Sequence, residues 1–335
     1  MRASRVLIAA ATLSIGVSGV ATAAEFNWKF QAFLGENSLV TQEFQGFAER
    51  LKEKSGGRIE IEVLPGGAVV GNAETLEAMQ AGVLNGHYNA PSYFAGKDPA
   101  FAVLGDTLSA YKDSAQRDSW FTEGGGLALA RELYGQNGAH FVGPVYWPPE
   151  WIPSKKPLNT IADFEGLKIR APEGLVGDLL RRAGAGVVSL PGGEVYNALE
   201  TGVLDATDWA NMALNNASGL YRVAKYSVFA RHSMAVTEIS IRQQDWDALP
   251  ADLQSLVETE VAAFSDHMRK AFAAAEDKAA EEVKAQDVAL IVWSDQQEAQ
   301  FRAMLKEVWG EWESKNALAG QIIASHKAYL EKLGL

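Results

Sequence analysis

Two stretches of this chain follow one template. LPGGAVVGNAETLEAMQAGVLNG runs from Leu64 to Gly86, and LPGGEVYNALETGVLDATDW from Leu190 to Trp209. With Glu74 set against Glu194, the same Glu, Ala, Gly, Val and Leu recur at matching places up to Gly86 and Ala206. Each part of the template has a physical role. LPGG ends a strand and turns without Cβ strain. The glutamate falls in the first turn of a helix, where the dipole favours negative charge. The glycine of GVL closes that helix in a left-handed conformation, and the apolar pair opens the next strand. A chain that spells strand, turn, helix, strand in this way twice is expected to build two similar α/β lobes.

The surrounding pattern agrees. Phe26–Leu34 and Arg58–Leu64 read as strands around a helix capped by Ser38 and stopped at Gly56 and Gly57. Helix Glu74–Gly82 and strand Gly86–Ala90 follow. In the second half come strand Gly166–Pro172, a helix through Leu179, strand-plus-turn from Ala185, helix Glu194–Gly202 and a strand over Leu204–Trp209. Such alternation argues for parallel-type sheets covered by helices. The tail is helical over Pro250–Gln286, has one strand at Val288–Trp293, and closes with two helices. At ~100–200 residues per domain, 335 residues suit two units. The expected division is 24–150 with roughly 232–260 as the first lobe. The second is 151–231 with parts of 261–335, joined to the first by crossing strands and a long helix. The fold class is α/β, two-lobed, with a long C-terminal helical region.

The first 23 residues differ in kind. Arg2 and Arg5 precede an apolar run from Val6 to Val20, and Ala21-Thr22-Ala23 supplies the small residues of a cleavage site. That is the grammar of a secretory signal peptide, and it predicts a periplasmic protein. No internal run approaches the ~18 apolar residues of a membrane span, so no direct membrane insertion is expected. The chain has no cysteine, which excludes disulfides, thiolate nucleophiles and Cys-held metals. Its formal net charge is −12, and loss of the leader's two arginines makes it more negative. Nucleic acid is therefore a poor partner. An anionic ligand has to be held by a local cation against that field.

Motifs for catalysis are missing. There is no phosphate loop, nucleophile elbow or zinc-protease helix, and the five histidines are not spaced as helix-borne metal ligands. TEGGGLAL (Thr122–Leu129) reads as a helix-entry loop. One arginine stands out. In GLKIR, Arg170 closes a strand just before Pro172, and ligands of α/β sheets bind beyond the carboxyl ends of strands. A guanidinium there matches a carboxylate in a planar fork. The second repeat ends close by in DATDWANM, which offers Asp208, Trp209 and Asn211 as ligand contacts. The proline-stiffened VYWPPEWIPSKKPL adds Trp147, Glu150 and Trp151 on a crossing between lobes. From the first lobe, Tyr93, Glu36 and Asn37 are candidates.

GKDPAF, ADFEGLKIRAP, the second repeat unit and GLYRVAKYSV, taken with the export signal, resemble the substrate-binding proteins of TRAP transporters, the DctP-like family. The resemblance spans nearly the whole mature chain and is most specific from Ile161 to Tyr226. It is greatest to members that take 2-oxo or 2-hydroxy monocarboxylates. It implies a hinge-closing binding protein, monomeric or dimeric, without catalysis. Its partners would be a small organic anion and the small and large integral membrane subunits of an ion-driven transporter. The clamp on the ligand carboxylate falls on Arg170. The site-lining acid and tryptophan fall on Asp208 and Trp209; in some members they help hold a metal ion, which makes Asp208 the metal candidate for calcium or sodium. Two departures stand against that pattern. A Gln-containing, glycine-rich stretch is replaced by WPPEW, and a glutamate metal ligand has no match in FARHSMAVTE, where His232 or Ser233 stands. An aromatic acid, a dicarboxylate or a sulfonate remains an alternative ligand. A binding protein of an ABC importer, and an exported hydrolase or lyase using cleft carboxylates, are alternative classes.

Overall fold

A computed structural model describes residues 24–190 and 192–335. The leader read over residues 1–23 lies outside the described residues, as does Pro191. The chain makes two sheets. The first is built from β1 (Phe26–Ala32), β2 (Ile59–Leu64), β3 (Gly86–Asn89) and β4 (Ala139–Val145). The second is built from β5 (Ile152–Ser154), β6 (Lys168–Arg170), β7 (Gly186–Val188), β8 (Ala206–Thr207) and β9 (Tyr226–Phe229). Then β10 (Thr237–Arg242) returns to the first sheet and β11 (Ala289–Val292) to the second. The orders are β2-β1-β3-β10-β4 and β11-β9-β5-β8-β6-β7.

The sheets are parallel apart from one strand each. β10 runs antiparallel between β3 and β4, and β5 runs antiparallel between β8 and β9. Both follow a segment arriving from the other lobe, 146–151 before β5 and 230–236 before β10. A strand entering from the opposite side meets the sheet head-on, so its direction reverses.

The repeated template has the same geometry in both lobes. Single 3₁₀ turns, Asn72–Glu74 and Gly192–Glu194, lead into helices Thr75–Gln80 and Val195–Glu200. Each glutamate sits at the N-cap, one place before the expected first turn. Gly82 and Gly202 close the helices at φ +73° and +79°, where a Cβ would be strained. Their amides donate to Met79 O and Leu199 O. Of each apolar pair only the leucine is buried; Val83 and Val203 are exposed.

The long helix Ala251–Ala285 packs on β4 in the first lobe and on helix Met212–Ala217 in the second. Helix Asp295–Glu313 lies on the second lobe, where Trp312 Nε1 donates to Asp178 (2.8 Å). Helix Ala317–Leu333 returns to the first lobe, where Ser325 Oγ donates to Gly124 O (2.7 Å). Among the described residues no helix is long and apolar enough to cross a membrane.

Candidate ligand-binding cleft

A cleft of about 1200 Å³ opens between the sheets. Its first-lobe wall includes Phe33, Glu36, Asn37 and Tyr93; Trp147 and Glu150 come from the crossing, and Arg170, Asp208 and Trp209 from the second lobe.

Arg170 is the last residue of β6 and is buried. The parallel register with β8 brings Asp208 beside it. Asp208 N donates to Arg170 O (2.8 Å), and Arg170 Nη1 donates to Asp208 O (2.8 Å). Arg170 Nε donates to Leu190 O (3.3 Å). Among the described residues no carboxylate pairs with it, so it is not an arginine neutralised by a neighbouring acid. A guanidinium has five N–H groups, and these bonds leave the other three for a ligand. The Trp209 ring lies 5.1 Å from the guanidinium carbon, covering one face. That ring fits because residue 192 is glycine: a Cβ there would stand 2.1 Å from Trp209 Cη2. Gly66 does the same in the first repeat, where a Cβ would stand 2.7 Å from the Phe33 carbonyl.

Three acids meet at the floor of the cleft, beside the crossings. Glu150 Oε1 accepts from Trp147 Nε1 (3.0 Å) and Oε2 from Ser233 Oγ (2.9 Å). Ser233 Oγ also lies 2.6 Å from Asp106 Oδ2. Asp106 Oδ1 accepts from the amides of Leu108 (2.5 Å) and Met234 (3.2 Å). Asp208 Oδ1 lies 2.7 Å from His232 Nε2. Asp106, Glu150, Asp208, His232 and Ser233 are all buried. Burial, then the Glu150 charge, pushes Asp106 up to about 6. Burial likewise pushes Asp208 up to about 6. Burial, then Asp208, holds Glu150 well above the carboxylate range, and burial pulls His232 down. A hydroxyl has a single proton, so one of the two acids facing Ser233 must bring its own. The cluster therefore holds a proton instead of three bare charges.

Asn211 and Trp151 are not in the cleft, contrary to the sequence expectation. Asn211 caps helix Met212–Ala217, its Oδ1 accepting from Leu214 N (3.1 Å) and its Nδ2 donating to Glu276 (2.7 Å). Glu276 also takes the amides of Met212 and Ala213, which spends that helix start on the long helix. Trp151 packs on Phe229 at 4.9 Å. Trp147 lines the cleft, but its indole is wedged between Phe33 and Phe272. Asp106 was missed. Its signal was present: in FAVLGDTLSAY it is the lone charge of an apolar stretch, and a lone buried acid needs partners.

Glu150, Asp208 and His232 each offer an atom within 4.8 Å of the others, the spacing of a metal site. Calcium takes six to eight oxygen ligands. Here the third corner is an imidazole nitrogen already bonded to Asp208, and both Glu150 oxygens lie against polar groups of the protein. The other imidazole nitrogen, Nδ1, is buried without a partner, whereas a metal-bound histidine donates its second N–H. The donor set does not fit a resident calcium or sodium ion.

Two α/β lobes around a cleft with an immobilised arginine define a two-lobed solute-binding protein. The chain belongs to the bacterial extracellular solute-binding proteins of family 7, the DctP family, whose model matches residues 30–316. It is 26% identical over 298 residues to the monocarboxylate 2-oxoacid-binding periplasmic protein of Nostoc sp., covering 85% of this chain and 79% of that one. A TRAP periplasmic solute-binding protein from Rhodobacter sphaeroides, solved apo and open, is 33% identical over 92% of this chain and 98% of its own, with a TM-score of 0.76. A TRAP solute-binding protein from Bordetella bronchiseptica, with calcium and picolinate in its site, superposes with a TM-score of 0.82 at 24% identity, covering 93% and 94% of the chains. The protein is thus a TRAP-type solute-binding protein, not an enzyme.

Proposed function

We propose that the ligand is a small monocarboxylate bearing a 2-oxo or 2-hydroxy group, captured in the periplasm after removal of residues 1–23. It is then handed to the small and large membrane subunits of the transporter. The observation behind this reading is Arg170, pinned by two backbone carbonyls with three N–H groups left to grip one carboxylate. The rest of the lining opposes a second negative charge: among the described residues, Lys278 is the only basic residue there besides Arg170, against several acids. This argues against a dicarboxylate. The similarity to a 2-oxoacid-binding relative supports the same class. Phe33, Tyr93, Trp147 and Trp209 in a cleft of about 1200 Å³ favour an aromatic acid as the second reading.

Capture works by closure. The lobes, 24–150 with roughly 232–260 and 151–231 with parts of 261–335, turn about the two crossings and the long helix, and a ligand touching both selects the closed form. Closing removes water, and the Arg170–carboxylate attraction strengthens as the effective dielectric falls.

A thermal-shift and calorimetric screen of 2-oxo, 2-hydroxy, aromatic and dicarboxylic acids tests this. The right acid at 100- to 1,000-fold over its Kd stabilises by ~3–4 kcal/mol. Arg170→Ala should weaken it by ~2–5 kcal/mol without loss of fold. A variant that binds normally would remove Arg170 from the site, and a screen in which only dicarboxylates bind would sink the ligand class.

A further inference from the structure

We propose that this protein holds its ligand without a metal ion, the imidazole of His232 standing beside Asp208 where an ion would otherwise bind. The inference rests on the binding role proposed above and adds how the acidic floor is made compatible with an anion.

The floor is already hydrogen-bonded from within. Of the six carboxylate oxygens of Asp106, Glu150 and Asp208, five lie within hydrogen-bond distance of a protein group: Trp147 Nε1, the Leu108 and Met234 amides, His232 Nε2, and Ser233 Oγ, which lies between two of them and donates to one. Among the described residues only Asp208 Oδ2 is without such a partner, far short of the six to eight oxygen ligands that calcium takes. His232 is fully buried behind Asp208. With Nε2 as the N–H partner of Asp208, Nδ1 is left as a bare acceptor. The opposite tautomer, which metal ligation through Nε2 needs, leaves an N–H buried with no acceptor, and an unmet buried donor is costly.

His232 is also a positioning residue for the clamp. It fixes the Asp208 carboxylate, while the Asp208 backbone holds Arg170 through both its N–H and its C=O. Donor, acid and arginine form one chain of bonds from crossing 230–236 to the ligand. An ion bound at Asp208 would compete with the first link.

The test separates ion from ligand. Chelator-dialysed protein is examined by native mass spectrometry and calorimetry with calcium chloride alone, then with sodium chloride alone. Whichever acid of the screen binds most tightly is titrated in EDTA with choline chloride, with calcium, and with sodium. The expected result is no stoichiometric calcium on the wild type and a Kd for the acid that changes less than twofold among the three buffers. His232→Glu, which puts oxygens where the imidazole was, should acquire a bound calcium and at least a tenfold calcium dependence of acid binding. His232→Asn, which keeps an N–H, should stay indifferent to calcium. Stoichiometric calcium on the wild type, or a tenfold loss of acid affinity on chelation, overturns the proposal. So does a folded His232→Glu protein that ignores calcium. If no acid binds, the binding reading fails, while the ion titrations still decide this one.

Discussion

Gly192 shows how much of this cleft depends on a missing atom. Trp209 can lie along the Arg170 guanidinium only because no Cβ rises from residue 192. Gly192→Ala should push the indole off the arginine and lower ligand affinity about tenfold, the ~1–2 kcal/mol of a desolvated cation–π contact. Tryptophan fluorescence and calorimetry read both effects; unchanged affinity with a shifted indole would show that Trp209 is mere packing. Residues at strand ends were legible in the sequence. Arg170 and Asp208 follow apolar runs that stop at Pro172 and Trp209, and the structure sets them side by side. Asn211 was misread because its neighbourhood pointed to the cleft, while the helix-start pattern of an asparagine before MAL pointed to a cap. Asp106 could not be assigned, because its partners Ser233 and Glu150 lie far along the chain.

Helix Ala317–Leu333 buries His326 against Trp120, with ring centroids 3.7 Å apart, and its Nδ1 lies 2.7 Å from Tyr111 Oη. Burial, then Arg117, pulls its pKa down to about 3. The folded state keeps the ring neutral, whereas the unfolded chain binds a proton below about 6.5. The contribution to stability is whole above 6.5 and falls as pH drops towards 3, by up to ~1.4 kcal/mol per unit. His326→Gln keeps a hydrogen-bonding amide and cannot titrate. Its melting temperature should fall less steeply than the wild type's between pH 6.5 and 4.5, and parallel curves would contradict the assignment. At this scale the elements themselves were legible, since Ser38, Gly82 and Gly202 mark ends that the structure keeps. The direction of β5 and β10 was not. Alternation shows that a strand exists, but its direction depends on which lobe the chain has just left. β8 is also shorter than its apolar run suggested, ending at Thr207, because Asp208 turns its amide and carbonyl to Arg170.

For the molecule as a whole, the two antiparallel strands matter most. Residues 24–154 carry β5, which sits in the second sheet; residues 155–335 carry β10, which sits in the first. Each half of the chain has thus lent a central strand to the sheet of the other. Lys155, Lys156 and Pro157, just past β5, are exposed, so a protease site can be placed there. A cut at that point should leave the two pieces eluting together on size exclusion, still able to bind ligand, until denaturant is added. Pieces that drift apart in plain buffer would refute the interlock. Transport proteins of this kind must open and shut many times; here the exchanged strands tie each half of the chain into both sheets, so a backbone break just past β5 becomes a nick instead of a loss.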